Sequence, residues 1–294
     1  MICSSPVRSY LGVFRCGRCM CCRVYRARVW TGRIFAESVY WSEKYFVTFT
    51  YDDDHLPEGN SLCKRDIQLF FKRLRKEYRL SYYVVGEYGD PKNTFRPHYH
   101  AIIFINDFYV EDEEDNVNDF ERGAFDDVFR YEKDVDYDEI GDILKKYWLK
   151  GDVYVEEVNI TTISYVCKYI TKNVTNGVLA DDIYGNKLRP FNLMSKGLGM
   201  RYYKDNEDRI IRDKCVTFFG RFYPVPRVFR DYLYKKYGEE FKEKYNRELM
   251  DIIDLEYNKK GLFYFSDIVK YDNDVSSVKE EDIKFWKKKS VGLF

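Results

Sequence analysis

The chain has 294 residues, enough for one well-buried core with attachments or for two modest domains, and its formal net charge is zero. That excludes a uniformly basic nucleic-acid coat, yet the charge is unevenly placed: residues 1–36 hold seven Arg and no Asp or Glu, whereas residues 106–140 hold fifteen acids against Arg122, Arg130 and Lys133. No apolar run approaches the roughly 18–20 residues that span a bilayer, and Arg8, Arg15 and Arg18 break the stretch where a secretory signal needs an apolar centre, so the expectation is a soluble intracellular protein with no membrane partner.

Residues 1–36 read as a basic, Cys-rich N-terminal segment. Four of the eight cysteines crowd into residues 16–22, a pattern of thiols kept reduced for a metal rather than a disulfide framework spread through a secreted chain. Cys16, Cys19 and Cys22 run C-x2-C-x2-C, and with Cys3 they could close a tetrahedral Zn2+ site. Standard zinc modules pair two C-x2-C knuckles, however, and the second is missing, so a reduced thiol cluster in a partly ordered basic segment is the favoured reading. Arg15, Arg18, Arg23, Arg26 and Arg28 could grip phosphates or line an exposed helix.

A core follows over residues 37–205. YFVTFTY (45–51) is β-branched and aromatic and predicts a central strand. KRDIQLFFKRLRKEYR (64–79) places Ile67, Phe70, Phe71 and Leu74 at helical spacing. SYYVVGE (81–87) and HYHAIIFI (98–105) predict two strands of an antiparallel hairpin with a long connection. The stretch VEDEEDNVNDF carries too many like charges to pack and reads as a solvated insertion within 106–140. DEIGDILKKYWL (138–149) predicts a helix, DVYVEEV (152–158) a strand, and ITTISYVCKYITKNV a helix from about Asn159 or Thr161. This order belongs to an α+β fold in which helices cover one face of an antiparallel sheet, the ferredoxin-like or RRM-like arrangement. Residues 187–204, KLRPFNLMSKGLGMRYYK, read as a basic loop that contacts a ligand or as a simple linker. Residues 206–294 read as a helical C-terminal extension, from RFYPVPRVFRDYLYKKYGEEFKEKYNRELMDII onward.

The three histidines of the chain are His55, His98 and His100. His55, in DDDHLP, reads as a turn residue. His98 and His100 lie two apart in a strand and so project from one face, while Tyr99 points the other way. Two parallel imidazoles suit a metal, although an isolated His-x-His more often belongs to hydrogen-bonded, partly buried histidines. Glu87 on the partner strand changes the balance: opposite either histidine it shares their face, and two imidazoles with a carboxylate suit Mg2+ or Mn2+. Downstream, Tyr165, Lys168, Tyr169 and Lys172 fall within an arc of roughly 100° on one helix face at about 100° per residue. Core packing would not choose Lys twice and a solvated stripe would not need Tyr twice. Transesterification of a DNA phosphodiester uses both: a phenol of pKa about 10 becomes a nucleophile when cations favour its phenolate.

FVTFTY, GEYG with RPHYHAIIF, and YVCKYITK resemble, in order and spacing, the three motifs of the HUH endonucleases that start rolling-circle replication, and the double-tyrosine form is similar to the replication initiation proteins of microviruses, the gokushovirus group in particular. The likeness, with CGRCMCCRVYRARVW, covers about residues 10–205. It implies that His98 and His100 bind the divalent cation and that Tyr165 and Tyr169 act in turn as nucleophiles, forming a 5′-phosphotyrosine on viral origin DNA. Glu87 as third ligand rests on strand geometry. Arg96, Lys196, Arg201, Arg23 and Arg26 are candidate DNA contacts. Because no G-x-x-x-x-G-K-[ST] is present, the implied partners are a host helicase and DNA polymerase, in the cytoplasm of a bacterial host. One other reading stays open, a non-catalytic single-strand-binding module of RRM type, whereas a barrel oxygenase or isomerase would need a further histidine after His100, and the sequence has none.

Overall fold

The computed structural model describes residues 3, 6–9, 12–89, 95–105, 135–172 and 183–259. The acidic stretch expected to be an insertion lies outside them for the most part. The chain divides into two compact units, Met1–Tyr25 with Arg230–Phe294, and Arg26–Phe229. The first contains a small antiparallel hairpin of β1 (Val7–Ser9) and β2 (Gly12–Phe14). Helix α1 (Met20–Ser38) begins shortly after it.

The larger unit is built on β3 (Glu43–Thr50), α2 (Lys64–Leu74), β4 (Leu80–Tyr88), β5 (Pro97–Ile105), α3 (Tyr137–Trp148), β6 (Val153–Glu157), α4 (Ile160–Lys172) and β7 (Phe191–Met194). The strands form one antiparallel sheet in the order β6-β3-β5-β4-β7. β5 lies between β3 and β4 and is antiparallel to both, so β3 and β4 run parallel and need a crossover, which α2 supplies. Setting β7 aside, this is the split β-α-β arrangement read from the sequence, with helices on an antiparallel sheet.

Alternation along the strands decides which helix goes where. Tyr45, Val47, Phe49, Tyr99, Ala101, Ile103, Tyr82 and Val84 face one side and meet Ile67, Phe70, Phe71 and Leu74 of α2 and Ile140, Leu144 and Trp148 of α3 in the main core. Phe71 stacks on Tyr82 with ring centroids 3.6 Å apart, and Phe49 meets Phe70 edge-on at 4.6 Å. Burying each such aromatic contributes on the order of 1.5–3 kcal/mol. α3 starts cleanly because the Asp136 carboxylate accepts hydrogen bonds from the Asp138 and Glu139 amides. The chain then returns to β6 through Gly151, where a Cβ would sit 2.4 Å from the Thr50 carbonyl oxygen at φ 145°, a place only glycine can occupy.

Among the described residues, the opposite face is covered only toward one end. There Trp30 of α1 packs on Tyr83 at 5.3 Å, Trp41 meets Phe104 at 6.4 Å, and α4 lies against β4 and β5. The other end of this face carries Glu87, His98 and His100.

Five strands escaped the sequence reading, the two of the N-terminal hairpin and three later ones. The basic loop of 187–204 contains β7, an edge strand whose Phe191 and Leu193 pack against the core, followed by α5 (Met200–Asp205). Beyond α6 (Glu207–Asp213) the chain forms a hairpin of β8 (Cys215–Phe218) and β9 (Arg221–Pro224) before α7 (Arg227–Lys259). Phe218, Phe219 and Tyr223 of this hairpin surround Phe35 of α1. Within α7 the helical path breaks at Gly238, φ 85° and ψ −174°, and Tyr234 on one side of the break donates to the Asn246 side-chain oxygen on the other at 2.7 Å.

Candidate metal centre and nucleophile helix

β4 and β5 pair with Glu87 directly opposite His98 and Val85 opposite His100. The sequence geometry is thus realised: one carboxylate and two imidazoles leave the sheet on one side. Glu87 Oε1 lies 3.0 Å from His98 Nε2 and 3.2 Å from His100 Nε2. The two imidazole rings stand nearly perpendicular, 4.9 Å apart. Burial of Glu87 opposes its ionisation, but hydrogen bonds from His100 and His98 and their charge outweigh this and hold the carboxyl below its usual range.

The outer nitrogens are fixed as well. His98 Nδ1 lies 3.2 Å from the Arg96 carbonyl oxygen, an atom that only accepts, so Nδ1 carries a proton. That leaves Nε2 turned toward Glu87 Oε1, with the outer nitrogen held by a carbonyl as in a metal-ligating histidine, and this is the fit a divalent ion requires. His100 Nδ1 pairs with Thr48 Oγ1 at 2.9 Å, and Phe46 stacks on the His100 ring at 5.6 Å.

Thr48 and Phe46 were missed from the sequence, although the signal was present. In FVTFTY they alternate with the core residues, and β3 pairs with β5 so that Thr48 lies opposite His100 and Thr50 opposite His98. Between the histidines Tyr99 points into the core, where its hydroxyl meets the Tyr51 hydroxyl at 2.8 Å, accepts from the Cys63 amide at 2.9 Å and donates to the Cys63 carbonyl at 2.9 Å.

α4 brings the tyrosines. The Asn159 side chain accepts from the Thr161 and Thr162 amides at 2.9 Å while Thr162 Oγ1 accepts from the Asn159 amide at 2.8 Å, a reciprocal cap that sets the helix start and its rotation. Ile163, Val166 and Cys167 are buried, which leaves Tyr165 on the open side at 43% exposure. Its ring meets His100 edge-on at 5.7 Å and Phe46 at 6.3 Å. Lys168, Tyr169 and Lys172 belong to the same helix, and their side chains lie outside the described residues.

The remaining candidates are placed separately. Arg96 spends its guanidinium on Asp53 at 2.7 Å and the Tyr51 carbonyl at 2.8 Å, so it braces the β3 and β5 ends. Lys196 is exposed in the turn after β7. Arg201 stacks over Tyr40 at 4.4 Å and pairs with Asp205 at 3.9 Å. Arg26 is exposed, and Arg23 donates to the Arg18 carbonyl at 3.0 Å. His55 pairs with Asp52 in a turn, as its context suggested. Among the described residues a second ligating group is Cys3, Cys16, Cys19 and Cys22, all sulfurs within 4.8 Å of one another, whereas the sequence favoured a looser thiol cluster. No described helix is long and apolar enough to cross a membrane.

Residues 44–174, from β3 through α4, match the family model for Replication-associated protein ORF2/gene 2 protein. The chain is similar to Replication-associated protein VP4 of Bdellovibrio phage phiMH2K, 29% identical over 275 residues that cover 88% of this chain and 80% of the relative. Replication-associated protein ORF4 of Chlamydia phage 1 is 30% identical over 243 residues, 80% of this chain and 57% of the relative. For Replication-associated protein ORF2 of Spiroplasma virus 4 the figures are 28% over 249 residues, 79% and 71%. No solved structure matches significantly.

Proposed function

We propose that this chain, which belongs to the Replication-associated protein ORF2/gene 2 protein family and is related to the replication proteins of microviruses, starts rolling-circle replication by nicking and rejoining single-stranded DNA at a viral origin. The observation that carries the reading is the convergence of Glu87, His98 and His100 at one point of the sheet with the exposed Tyr165 ring 5.7 Å from His100. A divalent cation, Mg2+ or Mn2+, bound by these three side chains would polarise the scissile phosphate and offset its developing charge.

The chain's own residues account for the remaining roles. Thr48, Phe46 and the Arg96 carbonyl fix the two imidazoles in orientation, so ligand geometry is set before DNA arrives. The Tyr165 hydroxyl attacks phosphorus, an Oη–P bond forms as the P–O3′ bond breaks, and the departing 3′ oxygen takes up a proton. The product is a 5′-phosphotyrosine and a 3′-hydroxyl that a host polymerase extends, with a host helicase opening the duplex. Lys168 and Lys172 favour the phenolate, and Tyr169, one helical turn from Tyr165, makes the second cut while the first linkage is resolved into a circle. Lys196, Arg201, Arg23 and Arg26 hold backbone phosphates. The work takes place in the cytoplasm of a bacterial host.

The test is incubation of the protein with end-labelled single-stranded origin DNA and Mn2+ or Mg2+. A protein–DNA adduct that survives denaturation is expected, retained in part by Tyr165→Phe and Tyr169→Phe singly and lost in the double variant. Full adduct formation by the double variant refutes the nucleophile assignment, and a protein that binds the strand without any adduct is a non-catalytic binder.

A further inference from the structure

The four cysteines near the N-terminus bring all their sulfurs within 4.8 Å of one another. Cys3 Sγ lies 3.8 Å from Cys19 Sγ, and Cys16 Sγ lies 3.9 Å from Cys22 Sγ. A regular tetrahedron of sulfurs at about 2.3 Å from one zinc ion has edges of about 3.8 Å. A disulfide would need about 2.05 Å, so neither pair is bonded, and none of the four cysteines forms a disulfide. A cluster of several irons would hold the sulfurs much farther apart.

The backbone around them is shaped for anionic sulfur. Cys16 Sγ accepts from the Arg18 amide at 3.4 Å and the Cys19 amide at 3.3 Å, a tight turn that passes through Gly17 at φ 74°. Cys19 Sγ accepts from the Cys22 amide at 3.4 Å, and Cys3 Sγ from the Cys16 amide at 3.3 Å. Cys22 lies in the first turn of α1 and Cys19 immediately before it, where the helix dipole favours negative charge. Neutral thiols packed as small apolar groups would need none of these amides.

We propose that Cys3, Cys16, Cys19 and Cys22 bind one structural Zn2+ that staples the base of the β1–β2 hairpin to the start of α1. The hairpin runs between Cys3 and Cys16, so the ion closes its open end, and the two remaining ligands fix the helix that carries Arg23 and Arg26. The second knuckle that the sequence lacks is replaced by a single cysteine thirteen residues upstream of Cys16, brought in by the hairpin. In a segment this short, metal binding supplies ordering free energy that a small apolar core cannot. Cys21 lies beside the ligands and takes no part in the group.

Protein purified under reducing conditions decides the matter through elemental analysis by mass spectrometry. One zinc per chain is expected, lost in Cys16→Ser/Cys19→Ser, retained in Cys21→Ser and retained in His98→Ala/His100→Ala, which separates this site from the Glu87 group whatever becomes of the nicking reading. Should the double serine variant fail to fold, cobalt exchanged into the unmodified protein should show thiolate-to-cobalt charge transfer and the intense ligand-field bands of a tetrahedral ion. Protein without metal, protein with iron in place of zinc, zinc lost with the histidines, or a cobalt spectrum without thiolate bands would each overturn the proposal.

Discussion

Lys44 offers the cleanest test of how the sheet face beyond the histidines is covered. Its side chain is buried on β3 opposite Phe104, and burial alone lowers its pKa from 10.5 to about 8. At 1.36 kcal/mol per unit, carrying that charge in the native state costs about 3 kcal/mol at neutral pH. Below pH 8 both states hold the proton and the cost is complete; between about 8 and 10.5 the native state releases it while the unfolded chain keeps it, so stability rises with pH; above that window the cost is gone. Lys44→Met removes the charge and keeps most of the volume. Its stability advantage over the unmodified protein should be about 3 kcal/mol at pH 7 and shrink to roughly half of that or less at pH 9.5, less roughly 1 kcal/mol for the lost hydrogen bond to the Ser42 carbonyl. Urea denaturation of both proteins across that range measures it, and other titrating groups cancel in the difference. A difference that stays flat with pH would show that Lys44 keeps its proton throughout and that the burial argument is wrong.

Two further outcomes are expected. Glu87→Gln keeps the shape of the buried side chain and removes its charge; on the proposed reading of Glu87 as a ligand, and because loss of a mere outer-sphere partner costs about 10–100-fold in metal affinity, Mn2+ affinity measured by electron paramagnetic resonance should fall by at least about that much. Gly151→Ala drives a Cβ into the Thr50 carbonyl at a backbone angle that L residues avoid, so it should cost about 2–4 kcal/mol in urea melts, and unchanged stability would mean the loop can move away from β3.

Much of the larger unit could be read in advance because its strands and helices are long and strongly patterned. The alternation in 45–51 and 98–105 and the Ile67, Phe70, Phe71, Leu74 stripe state their faces directly. The shared face of Glu87 and the histidines was legible on the condition that Glu87 lies opposite one of them, and the register supplies it with Glu87 opposite His98. What stayed hidden depends on partners distant in sequence. β7 has four residues between Pro190 and a glycine-containing turn, and only the free edge of β4 makes it a strand. The β8–β9 hairpin is equally short and owes its place to Phe35, more than 180 residues earlier. Cys3 could be named beside the other cysteines but not placed, because no spacing rule brings it to Cys16 until the hairpin between them has formed.

The position of β5 at the middle of the sheet makes the geometry of the histidine pair unusually resistant to gradual change. Locked to β3 on one flank and β4 on the other, the strand has no slack, and sliding it by a single residue would turn Tyr99 outward and bury both imidazoles among Phe49, Phe70 and Trp148. An insertion or deletion there destroys the interior and the chemistry together. Diversification of such a protein is therefore channelled into the helix that bears the phenols and into the loops beyond the sheet, where altered spacing leaves the arrangement of Glu87, His98 and His100 as it is.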